Sequence, residues 1–192
     1  MKKSSILILI IICLVGCKKG SNETTITGEI KGLGTDTLYL YGMDELYDRI
    51  DTIYVENDKF SYTTSVDTIT SAYLLLKNRI EYPVFLDKGN KIKIKGDTIN
   101  LNFLTISGNI YNEEFTDFQK ALEDPADPSE KAGEETVDKR TTVEKANTAE
   151  EMAEEFILQH HSSYVSLYLL DKYFVQKETP DFSKIKKLVE VM

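Results

Sequence analysis

The 192-residue chain has no tryptophan, two histidines, four prolines and two cysteines, and both cysteines, Cys13 and Cys17, lie near the N terminus. From Lys18 to Met192 there is no thiol. That stretch forms no disulfide, runs no thiol–disulfide exchange and builds no cysteine metal site. The two histidines, His160 and His161, are adjacent. Neighbours on a helix point about 100° apart, so they are not the i, i+4 pair that grips a metal, and zinc needs three or four converging ligands. A polar break between helices explains them better. Long apolar runs are missing too: the longest, from Ile6 to Gly16, falls short of the roughly 20 residues that cross a bilayer. Basic residues are outnumbered, 23 against 32 acidic ones, for a net charge of −9. This balance argues against nucleic acid, which needs clustered Lys and Arg against phosphate. It also argues against direct adsorption to anionic lipid.

What is present at the N terminus is an export signal. Lys2 and Lys3 form a basic start and Ile6–Gly16 an apolar core, as in a secretory signal peptide. The A-x-A cleavage pattern is replaced by Leu14-Val15-Gly16-Cys17. This resembles the lipobox of bacterial lipoproteins. The resemblance implies a diacylglyceryl thioether on Cys17, cleavage before it, and acylation of the new terminus. Residues 1–16 are then a signal peptide that takes Cys13 with it, and the mature charge becomes −11. Each buried acyl CH₂ contributes about 0.8 kcal/mol, and two or more chains anchor stably. Residues 17–24 read as a polar tether. The expected location is the cell envelope, lipid-anchored at the outer membrane or periplasmic face. Lys18, standing where an Asp would favour inner-membrane retention, points outward.

The body has two textures. Residues 25–108 alternate in short runs rich in Ile, Val, Tyr, Phe and Thr, punctuated by Gly, Asn and Asp, which indicates an antiparallel β-sandwich-like domain. Leu38 and Leu40 oppose Tyr39 and Tyr41, while Ile92 and Ile94 oppose Lys91, Lys93 and Lys95, as in a sheet with one wet face. "IYVENDKFSY" reads as a hairpin with Asn57-Asp58 at its tip. Pro83 cannot donate to a ladder, which places its strand at an edge or makes it the point where the strand enters the sheet. Residues 109–192 change to helical spacing, with Phe115, Phe118 and Leu122 on one helix that Asn112 would cap. A charged linker follows at about 125–148. Met152, Phe156 and Leu158 then precede a break at His161-Ser162-Ser163. Val165, Leu169, Leu170 and Tyr173 mark another helix, and Ile185, Leu188 and Val189 a last one, still in mid-pattern at Met192. The fold class expected is α+β: a β-sandwich-like domain followed by a helical segment.

Several stretches together resemble a family. "ITGEIKGLGTDTLYLY" is similar to its opening strand pair, "IDTIYVENDKFSYTT" to its central hairpin, "YPVFLDKGNKIKIKGD" to a later pair, "ISGNIYNEEFTDFQ" to its hinge into helices, and "FILQHHSSYVSLYLL" to its helical stretch. The family is the N-terminal domain of unknown function in Bacteroidetes-type lipoproteins that precedes a thioredoxin-like domain of thiol-disulfide oxidoreductase and peroxiredoxin type. The redox members continue into Trp-Cys-x-x-Cys, which nothing here matches. The resemblance therefore implies the accessory half without the active half, concerned with substrate or partner presentation, or dimerisation.

Other constellations are weak. Gly32-Leu33-Gly34 lies between strands, which favours a turn over a phosphate cradle. Asp44, Glu45, Asp48 and Asp51 lack the order of a calcium loop. Ser162 and Ser163 lack the glycines of a nucleophile elbow. Tyr39, Tyr41, Tyr47, Tyr54, Tyr62, Tyr73 and Tyr82 fill strand faces, and exposed ones would stack on sugars or meet protein partners. The expectation is a lipid-anchored accessory or binding domain with no catalytic, metal or cofactor site of its own. Its contacts are the membrane through Cys17, a protein partner or a second copy, and no nucleic acid. The alternative is a free-standing lipoprotein that captures a glycan or peptide on its tyrosine-rich face.

Overall fold

The computed structural model describes residues 22–42, 45–76, 79–123 and 142–192. Cys13, Cys17 and Asp44 lie outside the described residues, as does most of the expected linker. Eight strands are followed by helices, an α+β arrangement. The strands are β1 (Glu23–Lys31), β2 (Asp36–Gly42), β3 (Ile50–Val55), β4 (Lys59–Ser65), β5 (Thr70–Leu75), β6 (Glu81–Leu86), β7 (Lys91–Asp97) and β8 (Thr105–Ser107). They form two four-stranded sheets, a first of order β4-β1-β7-β8 and a second of order β3-β2-β5-β6.

Alternation drives the sandwich. Ile26, Ile30, Ile92 and Ile94 from the first sheet and Leu38, Leu40, Leu74 and Val84 from the second are all buried. Each such side chain contributes about 1.5–3 kcal/mol on leaving water. Two glycines make room on the inner face of the first sheet. A Cβ on Gly28 would stand 2.1 Å from the Phe60 ring, and one on Gly96 would stand 2.3 Å from Leu104.

The expected strand pairs come out differently. β1 and β2 lie in different sheets, as do β6 and β7. The β3–β4 connection begins as a hairpin: Asn57 and Asp58 take φ of 51° and 69°, and Glu56 and Lys59 exchange backbone hydrogen bonds of 2.9 and 3.1 Å. Beyond that bridge β3 joins the second sheet and β4 the first. Crossing between sheets also brings β7 parallel to β1, the one parallel pair among the described residues. Pro83 does lie on an edge strand, β6, where it withholds no ladder donor from a second neighbour.

The helices are α1 (Ile110–Glu123), α2 (Thr142–Gln159), α3 (Tyr164–Leu170), continued by a wider turn at Asp171–Val175, and α4 (Phe182–Val191). The cap of α1 is Asn109, whose side-chain oxygen accepts from the Asn112 amide at 2.9 Å. Asn112 itself is buried in the helix. Helix α2 starts at Thr142, inside the stretch assigned to a linker, where Glu, Lys and Ala are good helix formers. Ser163 ends the expected break and caps α3, accepting from Val165 at 3.1 Å. Two helix faces are rotated from expectation: Ala153 and Ile157, not Leu158, are buried on α2, and Leu188 is buried on α4 while Val189 is exposed.

Helix α1 closes one open side of the sandwich. The Asn112 amide accepts from Phe85 N at 2.9 Å and donates to Phe85 O at 2.8 Å on edge strand β6. One turn later, Thr116 Oγ1 accepts from Ile106 N and donates to Ile106 O, both at 3.0 Å, on edge strand β8. Tyr82 Oη does the same for Leu104, accepting at 3.1 Å and donating at 2.8 Å. Three side chains thus stand in for absent strand partners and satisfy backbone groups that burial would otherwise orphan. Phe115, on the same helix, packs edge-on against Tyr82, Phe85 and Tyr168, which ties sandwich and helices into one core.

Candidate functional site

The opposite side of the sandwich is closed by a polar clasp. Tyr47 donates from Oη to Asp51 and lies 3.2 Å from Thr64 Oγ1. Arg49 donates to Asp51 at 3.1 Å and to Ser65 O at 3.0 Å, its guanidinium 4.6 Å from the Tyr47 ring centroid. The clasp ties β3 of the second sheet to β4 of the first. Burial and the Asp51 carboxylate push the Tyr47 phenol up to about 12. Burial would raise Asp51, but hydrogen bonds from Tyr47, Tyr62 and Arg49 outweigh it and hold its carboxyl below the usual range. Asp51 therefore points into the protein, and Glu45, Asp48 and Asp51 form no metal cage. Among the described residues no three His, Cys, Asp or Glu side chains converge on a metal position.

The histidine region is a joint between helices. His160 stacks on Phe156 with ring centroids 4.3 Å apart, and its Nδ1 lies 3.5 Å from Glu114. Ser163 donates to Glu114 at 2.5 Å, and His161 meets Ser162 at 3.0 Å. Ser163 bonds to the carboxylate rather than to a histidine and is occupied as a cap, while the Ser162–His161 contact joins exposed neighbours at the break between helices. Gly32 and Gly34 take φ of 79° and 71° in the turn between β1 and β2, which Asp58 fastens by accepting from Gly34 N at 2.6 Å.

The tyrosines divide by face. Tyr47 and Tyr82 are buried and structural. Tyr39, Tyr41, Tyr54 and Tyr73 lie on the outer face of the second sheet. Tyr41 and Tyr73 meet at 5.7 Å, and Tyr73 runs under the helical layer to Tyr168 at 6.5 Å. Burial and the neighbouring Glu81 carboxylate push both phenols above their ordinary value. Toward the free edge the same face is open: Tyr39, Ile50 and Tyr54 are 41%, 72% and 73% exposed. In the sheet register Tyr39 faces Thr52, and Tyr41 faces Ile50. These side chains form one apolar and aromatic patch on strands β2 and β3.

The outer face of the first sheet is its opposite. Lys91, Lys93 and Lys95 point outward between buried isoleucines, flanked by Thr and Ser from β1, β4 and β8. At its far end is a groove of about 500 Å³, lined by Glu29, Lys31, Lys95, Asn100, Phe103 and others. Cross-strand register sets Glu29 beside Lys95 and Lys31 beside Asp97, so the charges of the lining balance. The alternation in the sequence revealed this face; Phe103 and Asn100, set in the loop after β7, gave no periodic signal.

No curated protein matches the chain. Residues 24–115, which run from the start of β1 into the second turn of α1, match the family model described as Domain of unknown function (DUF4369).

Proposed function

We propose that this chain is a lipid-anchored, non-catalytic accessory and binding domain of the cell envelope, working beside thioredoxin-like thiol-disulfide oxidoreductases. Cys17 carries the lipid and residues 17–24 are the tether. The partner docks on the open patch of the second sheet. The observation that carries this reading is the group Tyr39, Ile50 and Tyr54, all on one face at a free sheet edge. Aromatic side chains there offer wide contact area at small entropic cost, as they do in known interfaces. Residues 18–192 hold no thiol, so in this reading the redox chemistry belongs to the Cys-x-x-Cys domain that the patch meets. The test is a photo-cross-linking residue placed at Tyr39 or Tyr54 in living cells. A cross-link to a protein bearing Cys-x-x-Cys is expected, and cross-linking to unrelated proteins alone would sink the proposal. Cys17→Ala should abolish incorporation of labelled fatty acid.

The groove favours a second reading, the capture of a glycan. It has the concavity and the few fixed polar groups of a small-molecule site, with Phe103 as the apolar element. Saturable binding of a neutral oligosaccharide, lost in Phe103→Ala, would select it.

A further inference from the structure

We propose that the outer face of the first sheet lies flat on the anionic phospholipid headgroups of the membrane that holds the anchor. The proposal rests on the lipid-anchor reading above. Although the chain is acidic overall, this face gathers Lys31, Lys59, Lys91, Lys93 and Lys95 against Glu23, Glu29 and Asp97, an excess of positive charge. Among the described residues none of these five lysines is in a salt bridge, whereas Lys120, Lys177, Lys184 and Lys186 all are. The balance is uneven along the strands. Glu29 lies between Lys59 and Lys95, and Asp97 beside Lys31. Lys91 and Lys93 have only Thr25, Thr27 and Ser107 across from them. Glu23, two positions before Thr25 on the same face, is the strand carboxylate at this end, so the pair keeps an excess of one positive charge.

That pair is at the anchored end. Lys91 is in register with Thr25, close to the start of β1. Five residues, and so six Cα–Cα steps, separate Cys17 from Glu23, a span of at most about 20 Å when fully extended. The rest of the face carries Thr and Ser and no large exposed apolar side chain, so contact is adsorption, not insertion. Helix α1 runs along the margin between the sheets, with Glu113 on Gly108 and Glu123 on Asn100, whereas α3, which meets Phe85 through Tyr168, and the Glu-rich α2 lie toward the second sheet. An anionic surface therefore attracts one side of the molecule and repels the other, which fixes its orientation. The aromatic patch on the second sheet then faces away from the lipid.

The experiment uses the full lipidated chain on two sets of vesicles, purely zwitterionic and about one-third anionic. Amine labelling of Lys91 and Lys93 is read by mass spectrometry against Lys187 on α4, which is exposed. In the anionic vesicles their labelling relative to Lys187 is expected to fall about fivefold, the factor one basic residue gains near an anionic surface. It should return at about 0.5 M salt, which screens such contacts. Equal labelling in both vesicle types would overturn the proposal. The double variant Lys91→Gln/Lys93→Gln should still float with the vesicles but leave Lys95 as reactive as on zwitterionic lipid; persistent protection of Lys95 would also overturn it. Flotation with zwitterionic vesicles reports the anchor separately. Should the chain fail to float there, the anchor reading falls, and the lysine footprint on anionic vesicles still decides the face.

Discussion

The two sheets use the same alternation inside and opposite strategies outside. The outer face of the first sheet is polar along its strands, with Phe103 in the groove at its far end. That of the second is aromatic, and helices cover the part over β5 and β6. The sequence carries the mark of this difference: β7 alternates strictly as KIKIKGD, whereas β6, EYPVFL, is apolar at every position after Glu81. A strand buried on both faces loses its period. What remains open on the second sheet, Tyr39, Ile50 and Tyr54, is therefore an exposed remnant of a face otherwise given to burial.

The contrast can be broken most strongly where helices meet the second sheet. Phe85→Ala, which empties a site ringed by Tyr111, Phe115 and Tyr168, should cost about 3–5 kcal/mol in urea unfolding. Asn112→Ala leaves the Phe85 N–H and C=O without their partner and should cost about 2–3 kcal/mol by the same measurement. Asp51→Asn sharpens the pH behaviour of the clasp. The Asp51 carboxyl is held below its unfolded value of 3.8, so its contribution is present above that pH and lost as pH falls further. The wild type should lose stability on acidification in that window, and the variant should show a shallower acid limb. Tyr54→Ala, on the open edge, should change stability by no more than about 0.5 kcal/mol while abolishing the partner cross-link. Lys93→Gln on the bare face should leave unfolding unchanged within about 0.5 kcal/mol; a larger loss would mean that the first sheet's outer face is structural after all.

Much of this was legible in the residues. Alternation placed Leu38, Leu40, Ile92 and Ile94 in the core and the lysines outside, and Asn57-Asp58 announced its turn. Strand partnership was not legible. Period-2 patterning says which face a residue occupies and nothing about which sheet its strand joins, so β1 with β2 and β6 with β7 read as pairs and are not. Asn112 reads as a cap because Asn is favoured there, yet tertiary burial gives its amide a strand edge to satisfy. The clasp of Tyr47, Arg49 and Asp51 was hidden for a similar reason: in the sequence it is one part of an acidic loop. Leu158 and Val189 have apolar neighbours at helical spacing, but the contacts of α2 and α4 rotate those positions to the surface.

The sealing of β6 and β8 by α1 has a consequence for the order of events in synthesis. A chain made from its N terminus has all eight strands available once Ser107 has been added, yet Ile106 and Phe85 still lack their partners. Only when Asn112 and Thr116 follow can the sheet margins close. Until then the nascent sandwich offers two unpaired margins to any neighbouring chain, and the few residues that complete the helix also end its risk of joining the wrong molecule.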